Sequence, residues 1–146
     1  MFPDPSLICR PYPSLLDGIK SPQLENFGYG NGGLHLIAFS AHNEGPAYGI
    51  QISCDAYFAV EEMLYSIAQH GDADIIYDGT VYVKEAVRSK LLDNVVAIHP
   101  SEPVWRHFIF VSYDYCFETL GKSEPAFRMF PDIGEAYEWK PTFTDV

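Results

Sequence analysis

Apolar segments in this chain follow one another in pairs, with only a short turn sequence inside each pair, and this spacing most constrains the fold. The segment at 34–41 is separated from the segment at 47–53 by the strand-breaking residues 43–46. Asp78 and Gly79 lie between two further short apolar runs and are the two-residue signature of a type I′ hairpin. Strands that pair with their neighbours in sequence predict an antiparallel sheet rather than a parallel one.

A long amphipathic helix is predicted between these two hairpins, over residues 55–70. Asp55 is a favourable N-cap residue, and Gly71 is a favourable residue just beyond the last turn. At a helical period of about 3.6 residues, the apolar positions fall on one face. That core face contains Ala56, Val60, Met63, Leu64 and Ile67.

The remaining segments complete a ββ-α-ββ-α-ββ order. Residues 85–93 predict a second, shorter helix, 94–99 and 104–114 predict strands, and 131–140 predict a short acidic helix. The fold class is therefore α+β, with a mostly antiparallel sheet of about six strands, one main helix and one or two shorter helices. A chain of 146 residues with 47% hydrophobic residues is expected to form a single domain with its own core.

The N-terminal arm, residues 1–22, contains five prolines. Proline has a fixed φ and no backbone N–H, so this arm cannot supply a central strand or the interior of a helix. We expect it to pack on the surface of the domain.

Positive charge is absent from residues 21–83, between Lys20 and Lys84. This 63-residue stretch contains eight carboxylates, and the whole chain has a net charge of −11. A surface of one sign attracts cationic partners, whereas nucleic acids and anionic membranes need clustered lysine and arginine. The charge pattern predicts a basic protein partner and excludes binding to nucleic acid or to an anionic membrane.

The polar face of the predicted helix carries two aromatic residues beside two acids. Aromatic rings supply buried area at an interface, and acids supply steering and pairing. The predicted partner-binding residues on this face are Phe58, Glu61, Glu62 and Tyr65. A second acidic edge is predicted from Asp72, Asp74 and Asp78. The alternative is structural, with one of the chain's two ends covering Phe58 and Tyr65.

No catalytic, cofactor or metal site is predicted. The segment Gly28–Gly33 precedes a strand, whereas a phosphate-binding loop precedes a helix. His70, with the acids at 72 and 74, has the residue types of a metal site, but a polar turn between a helix and a strand has the same composition. No serine or cysteine lies in a recognisable nucleophile motif.

The compartment expected from the sequence is the cytoplasm. The first residues lack a basic region followed by a continuous apolar core, so they do not resemble a secretory signal. No segment approaches the roughly 18 apolar residues that a membrane span requires. Three widely separated cysteines, Cys9, Cys54 and Cys116, predict reduced thiols.

These features together predict an acidic cytoplasmic inhibitor and not an enzyme. Such a protein would bind and neutralise a basic partner, as a bacterial immunity protein or antitoxin neutralises a toxin domain. The alternative is a small enzyme or ligand-binding domain with a pocket near Gly28–Gly33, with His35, His42 and Cys54 nearby.

Overall fold

The computed structural model describes residues 4–17, 22–30, 33–40, 45–61, 82–101, 104–112 and 115–140. Within these ranges the chain forms nine strands and two helices, so the predicted α+β class is confirmed with more strands than the six expected. The strands are β1 (Ile8–Pro11), β2 (Pro22–Gly30), β3 (Gly33–Ser40), β4 (Ala47–Ser53), β5 (Ala56–Glu61), β6 (Val83–Arg88), β7 (Arg106–Phe110), β8 (Tyr115–Gly121) and β9 (Ala126–Phe130). The helices are α1 (Lys90–Ile98) and α2 (Ile133–Glu138).

The strands form two sheets in which every pair is antiparallel. One sheet has five strands in the order β1-β6-β7-β8-β5, and the other has four in the order β2-β3-β4-β9. A single cluster of buried residues draws on both sheets, so one core lies between them. Its largest members are Leu16, Leu24, Leu34, Leu36, Ile50, Ile52, Tyr82, Phe108, Phe110 and Phe117.

Two of the connections that cross between the sheets lie at the same end of the molecule. The first joins β4 to β5 and the second joins β8 to β9. The backbone N–H of Asp55 donates to the carbonyl of Leu120 at 2.8 Å. A Cβ at Gly121 would lie 2.9 Å from the Cα of Cys54, so this close approach of two backbones requires glycine. These contacts fix β5 at the edge of the five-stranded sheet.

The proline-rich arm supplies an edge strand. β1 pairs only with β6 among the described strands, which agrees with the expectation that the arm cannot supply a central strand. Leu7 and Leu16 anchor the arm because both side chains are fully buried. Ile8 and Leu15 remain about half exposed.

The predicted helix over 55–70 is wrong over its first part, because Ala56–Glu61 forms strand β5. The sequence there, AYFAVE, is rich in aromatic residues, which favour strands, and a short apolar run fits either period. In the structure the backbone alternates: Tyr57 packs against the core and Phe58 faces outward. Residues 62–70 and the Asp78-Gly79 turn lie outside the described residues.

The predictions for residues 85–99 are partly wrong: residues 90–93 are helical as predicted, but the residues on either side are not. Residues 85–88 belong to strand β6 rather than to a helix, and 94–98 belong to helix α1 rather than to a strand. Ser89 determines the boundary, because its hydroxyl accepts from the Leu92 N–H at 3.0 Å and so caps α1. The short helix predicted within 131–140 is confirmed as α2, which Asp132 caps.

Helix α2 is held on the four-stranded sheet by a tryptophan that lies against a glycine. Trp139 follows α2 directly, and its ring centroid lies 5.6 Å from that of Phe130 and 6.1 Å from that of His35. A Cβ at Gly49 in β4 would lie 2.7 Å from Trp139 Cε3. The absence of a side chain at Gly49 therefore leaves the space that the Trp139 indole occupies.

Replacing Gly49 with alanine is expected to displace Trp139 and to lower the free energy of unfolding by about 1–3 kcal/mol, the usual cost of overpacking. The measurement is urea unfolding followed by tryptophan fluorescence. As a control, Gly45→Ala lies at a position with φ of +90° and open space around it. Its cost should come from backbone strain alone and should leave the emission of the folded protein unchanged. An unchanged Trp139 environment in Gly49→Ala would contradict this packing.

Candidate functional site

Strand β5 is an exposed edge with an aromatic residue at its centre. It pairs with β8 in an unbroken register from Ala56↔Leu120 to Glu61↔Tyr115. Among the strands that the structure describes, none pairs with the other side of β5. The Phe58 side chain is 42% exposed, and Asp55 and Ala59 are also exposed.

The electrostatics of this edge are negative. Asp55 precedes the strand, Glu61 ends it, and residues 21–83 contain no lysine or arginine. Two of the basic side chains, Arg10 and Arg106, are engaged elsewhere in an ion-pair network around Glu85. Along β5 an exposed aromatic residue at position 58 therefore lies between acidic residues at positions 55 and 61 of the sequence.

The structure describes two of the seven predicted partner-binding residues, Phe58 and Glu61. Both belong to β5, and their grouping on one helical face is wrong, because residues three apart share a face of a helix but not of a strand. Phe58 is 42% exposed, and its role in binding a partner stays a prediction. The other five lie outside the described residues: Glu62, Tyr65, Asp72, Asp74 and Asp78.

A buried carboxylate in the five-stranded sheet binds two arginines. Glu85 accepts from Arg106 through both oxygens, at 2.7 Å from Nε and 2.9 Å from Nη2, and from Arg10 Nη2 at 2.7 Å. Arg106 also donates to Glu124 at 2.8 Å and lies over the ring of Phe108, 4.9 Å from its centroid. Burial alone would raise the pKa of Glu85, but the hydrogen bond from Arg106, the largest influence, and that from Arg10 hold it below its ordinary value. The network ties β1, β6 and β7 together.

A second buried network joins α1 to the same sheet through a serine, a histidine and a glutamate, which we call the Ser89–His107–Glu118 chain. His107 Nδ1 lies 2.9 Å from Ser89 Oγ, and His107 Nε2 lies 2.6 Å from Glu118 Oε1. Ser89 Oγ already accepts from Leu92 N–H. All groups are satisfied when the Ser89 hydroxyl donates to Nδ1 and Nε2–H donates to Glu118.

These are the residue types of a hydrolytic triad, but their placement favours a structural role. Ser89 and His107 have no exposed surface, and Glu118 is 2% exposed. A nucleophile needs a substrate atom within reach, and none can approach Ser89 Oγ in this structure. The three residues lie 18 and 11 positions apart in the sequence, so no local motif indicates their contact.

The N-terminal arm adds a further polar contact beside the Ser89–His107–Glu118 chain. Asp4, which is buried, accepts from the Lys90 N–H at the start of α1 at 2.8 Å and from the Ser6 hydroxyl at 2.7 Å. Burial opposes ionisation of Asp4, but these hydrogen bonds lower its pKa below the ordinary value. The arm therefore helps to hold the first turn of α1 in place.

The glycine-rich segment belongs to a strand pair. Gly28 and Gly30 lie in β2, Gly33 begins β3, and Gly30 pairs with Gly33. Cys54 is buried, and burial first and Asp55 second raise the pKa of its thiol to about 11. A thiol that stays protonated at neutral pH is a poor nucleophile, so the raised pKa does not favour Cys54 as the nucleophile of an enzyme with a pocket near Gly28–Gly33.

Metal-ligating side chains form no group of three among the described residues, and His42, His70, Asp72 and Asp74 lie outside those residues. None of the three cysteines forms a disulfide. Neither described helix is long and apolar enough to cross a membrane.

The fold and the candidate site define a class: a two-sheet antiparallel α+β protein with an acidic, aromatic edge strand. Comparison with protein-family models, with curated proteins and with solved structures finds no match to this chain.

Proposed function

We propose that this protein is an acidic inhibitor that binds and neutralises a basic protein partner, as a bacterial immunity protein or antitoxin neutralises a toxin domain. The observation that carries the proposal is strand β5, where the exposed Phe58 lies between Asp55 and Glu61 within a region that has no positive charge. The aromatic ring supplies area to bury, and the acids on either side select a cationic surface.

An acidic inhibitor can act by covering the positive site of its partner and by associating with that partner quickly. Proteins that act on nucleic acids carry positive sites, and an acidic protein can cover such a site by presenting carboxylates where phosphates would bind. Complementary charge raises the association rate, which favours an inhibitor that must act before its target does. A cytoplasmic location is part of the proposal, because cysteines without disulfides are typical of a reducing compartment.

The test begins with identification of the partner. The tagged chain is expressed in the cells it comes from, and proteins that co-purify in stoichiometric amounts are identified and prepared separately. We expect a partner with a basic isoelectric point whose activity falls to background when an equimolar amount of this chain is added. A partner that keeps full activity in that titration would contradict the proposed function.

Salt should slow association with that partner. Between about 0.05 M and about 0.5 M salt, the Debye length falls from above about 10 Å to below about 5 Å, so long-range steering is largely lost. We expect the association rate to fall at least tenfold while the dissociation rate changes less, by stopped-flow or surface-based kinetics. An association rate that is independent of salt would contradict electrostatic steering.

Two double variants distinguish the effect of charge at β5 on partner binding from the effect of the net charge of the whole protein. Asp55→Lys with Glu61→Lys reverses the charge at β5, whereas Asp93→Lys with Glu138→Lys makes the same change in net charge at exposed positions on α1 and α2. The first pair should weaken binding far more than the second. Equal weakening would show that total charge alone attracts the partner and that β5 is not the site.

A further inference from the structure

Four strands lie at the edges of the two sheets, and they differ in how well they are protected from pairing with another chain. Edge strands are protected by proline, bulges, basic side chains or short length. β1 contains Pro11 and Arg10, and its register is broken between Ile8 and Cys9. These features make β1 a poor template for an added strand.

The two edges of the four-stranded sheet are protected in the same ways. β2 begins at Pro22, and its register with β3 shifts between Asn26 and Gly28. β9 carries the exposed Arg128. The bulge in β2 and the arginine in β9 make these two edges poorer templates for an added strand.

β5 has none of these protections. Its six residues include no proline, glycine, lysine or arginine, and its register with β8 is continuous over all six pairs. Its only charged residues are the acids at its ends, Asp55 just before the strand and Glu61 as its last residue. A regular edge of this kind is the geometry to which an extended peptide adds as a further strand.

We propose that an extended basic segment of the partner adds antiparallel to β5 as the sixth strand of the five-stranded sheet. This inference rests on the proposed function and names the way in which the partner is held. Backbone hydrogen bonds along β5 supply affinity, and the Phe58 ring covers the middle of the added strand. Lysine or arginine near each end of the segment pairs with Asp55 and Glu61.

The acids also explain why the occupant is a basic segment and not a second copy of this chain. Two copies that pair antiparallel about Phe58 bring Asp55 of one copy opposite Glu61 of the other, at both ends of the contact. Like charges directly opposite each other destabilise a strand pair, whereas opposite charges stabilise it. The charge pattern therefore disfavours self-pairing and favours a cationic strand.

The experiment uses the full chain and a synthetic probe. The probe has seven residues, with lysine at both ends and alternating valine and threonine between them. One control replaces both lysines with glutamate, and a second carries N-methyl groups on the central residues, which removes the backbone donors but keeps the charge. The readouts are the dissociation constant of the labelled probe and amide hydrogen exchange over residues 55–61.

We expect the lysine probe to slow amide exchange in β5 about tenfold or more at saturation. The N-methylated and glutamate probes should bind at least about tenfold more weakly, because one lacks the ladder bonds and the other repels both acids. The Asp55→Lys, Glu61→Lys variant should lose a similar factor. The Asp93→Lys, Glu138→Lys control should bind the lysine probe within about twofold of the wild type.

Three results would overturn strand addition: protection of β5 that is already complete without the probe, binding of the lysine probe with no change in β5, or equal binding of the N-methylated probe. The first would show that another part of this chain occupies the edge. Failure here is distinguishable from failure of the proposed function. A basic partner that this chain inhibits, but that leaves β5 exchange unchanged, would retain the function and reject this binding mode.

Discussion

Replacing Glu85 with alanine is expected to lower the free energy of unfolding by about 3–5 kcal/mol, the usual cost of removing one partner from a buried ion pair. The Glu85 side chain is 7% exposed and is the shared acceptor of Arg10 and Arg106. Arg106 is itself 21% exposed, so its guanidinium would lose two hydrogen bonds while it remains largely enclosed. Urea unfolding of the two proteins measures the difference.

Glu124 provides the matched control, because it contacts the same arginine from the solvent side. Its side chain is 61% exposed and accepts from Arg106 Nη1 at 2.8 Å. An exposed pair contributes about 1 kcal/mol or less, so Glu124→Ala should cost far less than Glu85→Ala. Similar losses in the two variants would show that burial does not strengthen the Glu85 network.

The same network should leave a signature in the pH dependence of stability. The pKa of Glu85 is lowered from its ordinary value of 4.5, mainly by the hydrogen bond from Arg106. Its stabilisation is therefore fully present above the pKa of the unfolded chain, and it is lost as pH falls through the lower pKa of the folded protein. The difference in stability between wild type and Glu85→Gln should be largest near pH 7 and should shrink below about pH 4.

The parts of the fold that were predictable are those with a strong local signal. The pairing of β3 with β4 and the α2 helix after Asp132 follow from turn and cap residues. The prediction of a helix at β5 was wrong because Ala-Tyr-Phe-Ala-Val is too short to distinguish the period of a helix from that of a strand. The hydrogen bond from the Asp55 backbone to Leu120, 65 positions later in the chain, favours the strand over the helix. A contact between residues so far apart leaves no local pattern in the sequence.

The candidate site was only partly predictable for the same reason. The acidic character of residues 21–83 follows from the sequence alone, whereas the sequence leaves open whether Phe58 is exposed or covered by one end of the chain. That Phe58 lies in an edge strand of the five-stranded sheet, as far as the structure describes it, depends on the strand order, which sequence periodicity does not encode. His107 and Glu118 meet as diagonal neighbours, since the residue directly opposite His107 is Leu120.

The Ser89–His107–Glu118 chain is expected to behave as one unit. Glu118→Ala should lower the free energy of unfolding by about 2–4 kcal/mol, because it leaves a cavity and an unsatisfied Nε2–H on a fully buried ring. Glu118→Gln keeps an oxygen acceptor of nearly the same shape and should cost markedly less. Urea unfolding monitored by circular dichroism provides the comparison.

A double-mutant cycle with Ser89→Ala tests whether the three residues are coupled. Ser89 both caps α1 and contacts His107, so its replacement alone should cost about 1–3 kcal/mol. Once Ser89 or Glu118 has been replaced, His107 is no longer held in one orientation. Replacing the other residue should then lower the free energy of unfolding by at least about 0.5 kcal/mol less than it does in the wild type. Asp132→Ala is the control, because Asp132 caps α2 in the same way and has no contact with His107 in the described network. Its effect should add to that of Glu118→Ala. Strict additivity of Ser89→Ala with Glu118→Ala would instead mean that the helix cap and the His107–Glu118 hydrogen bond act independently.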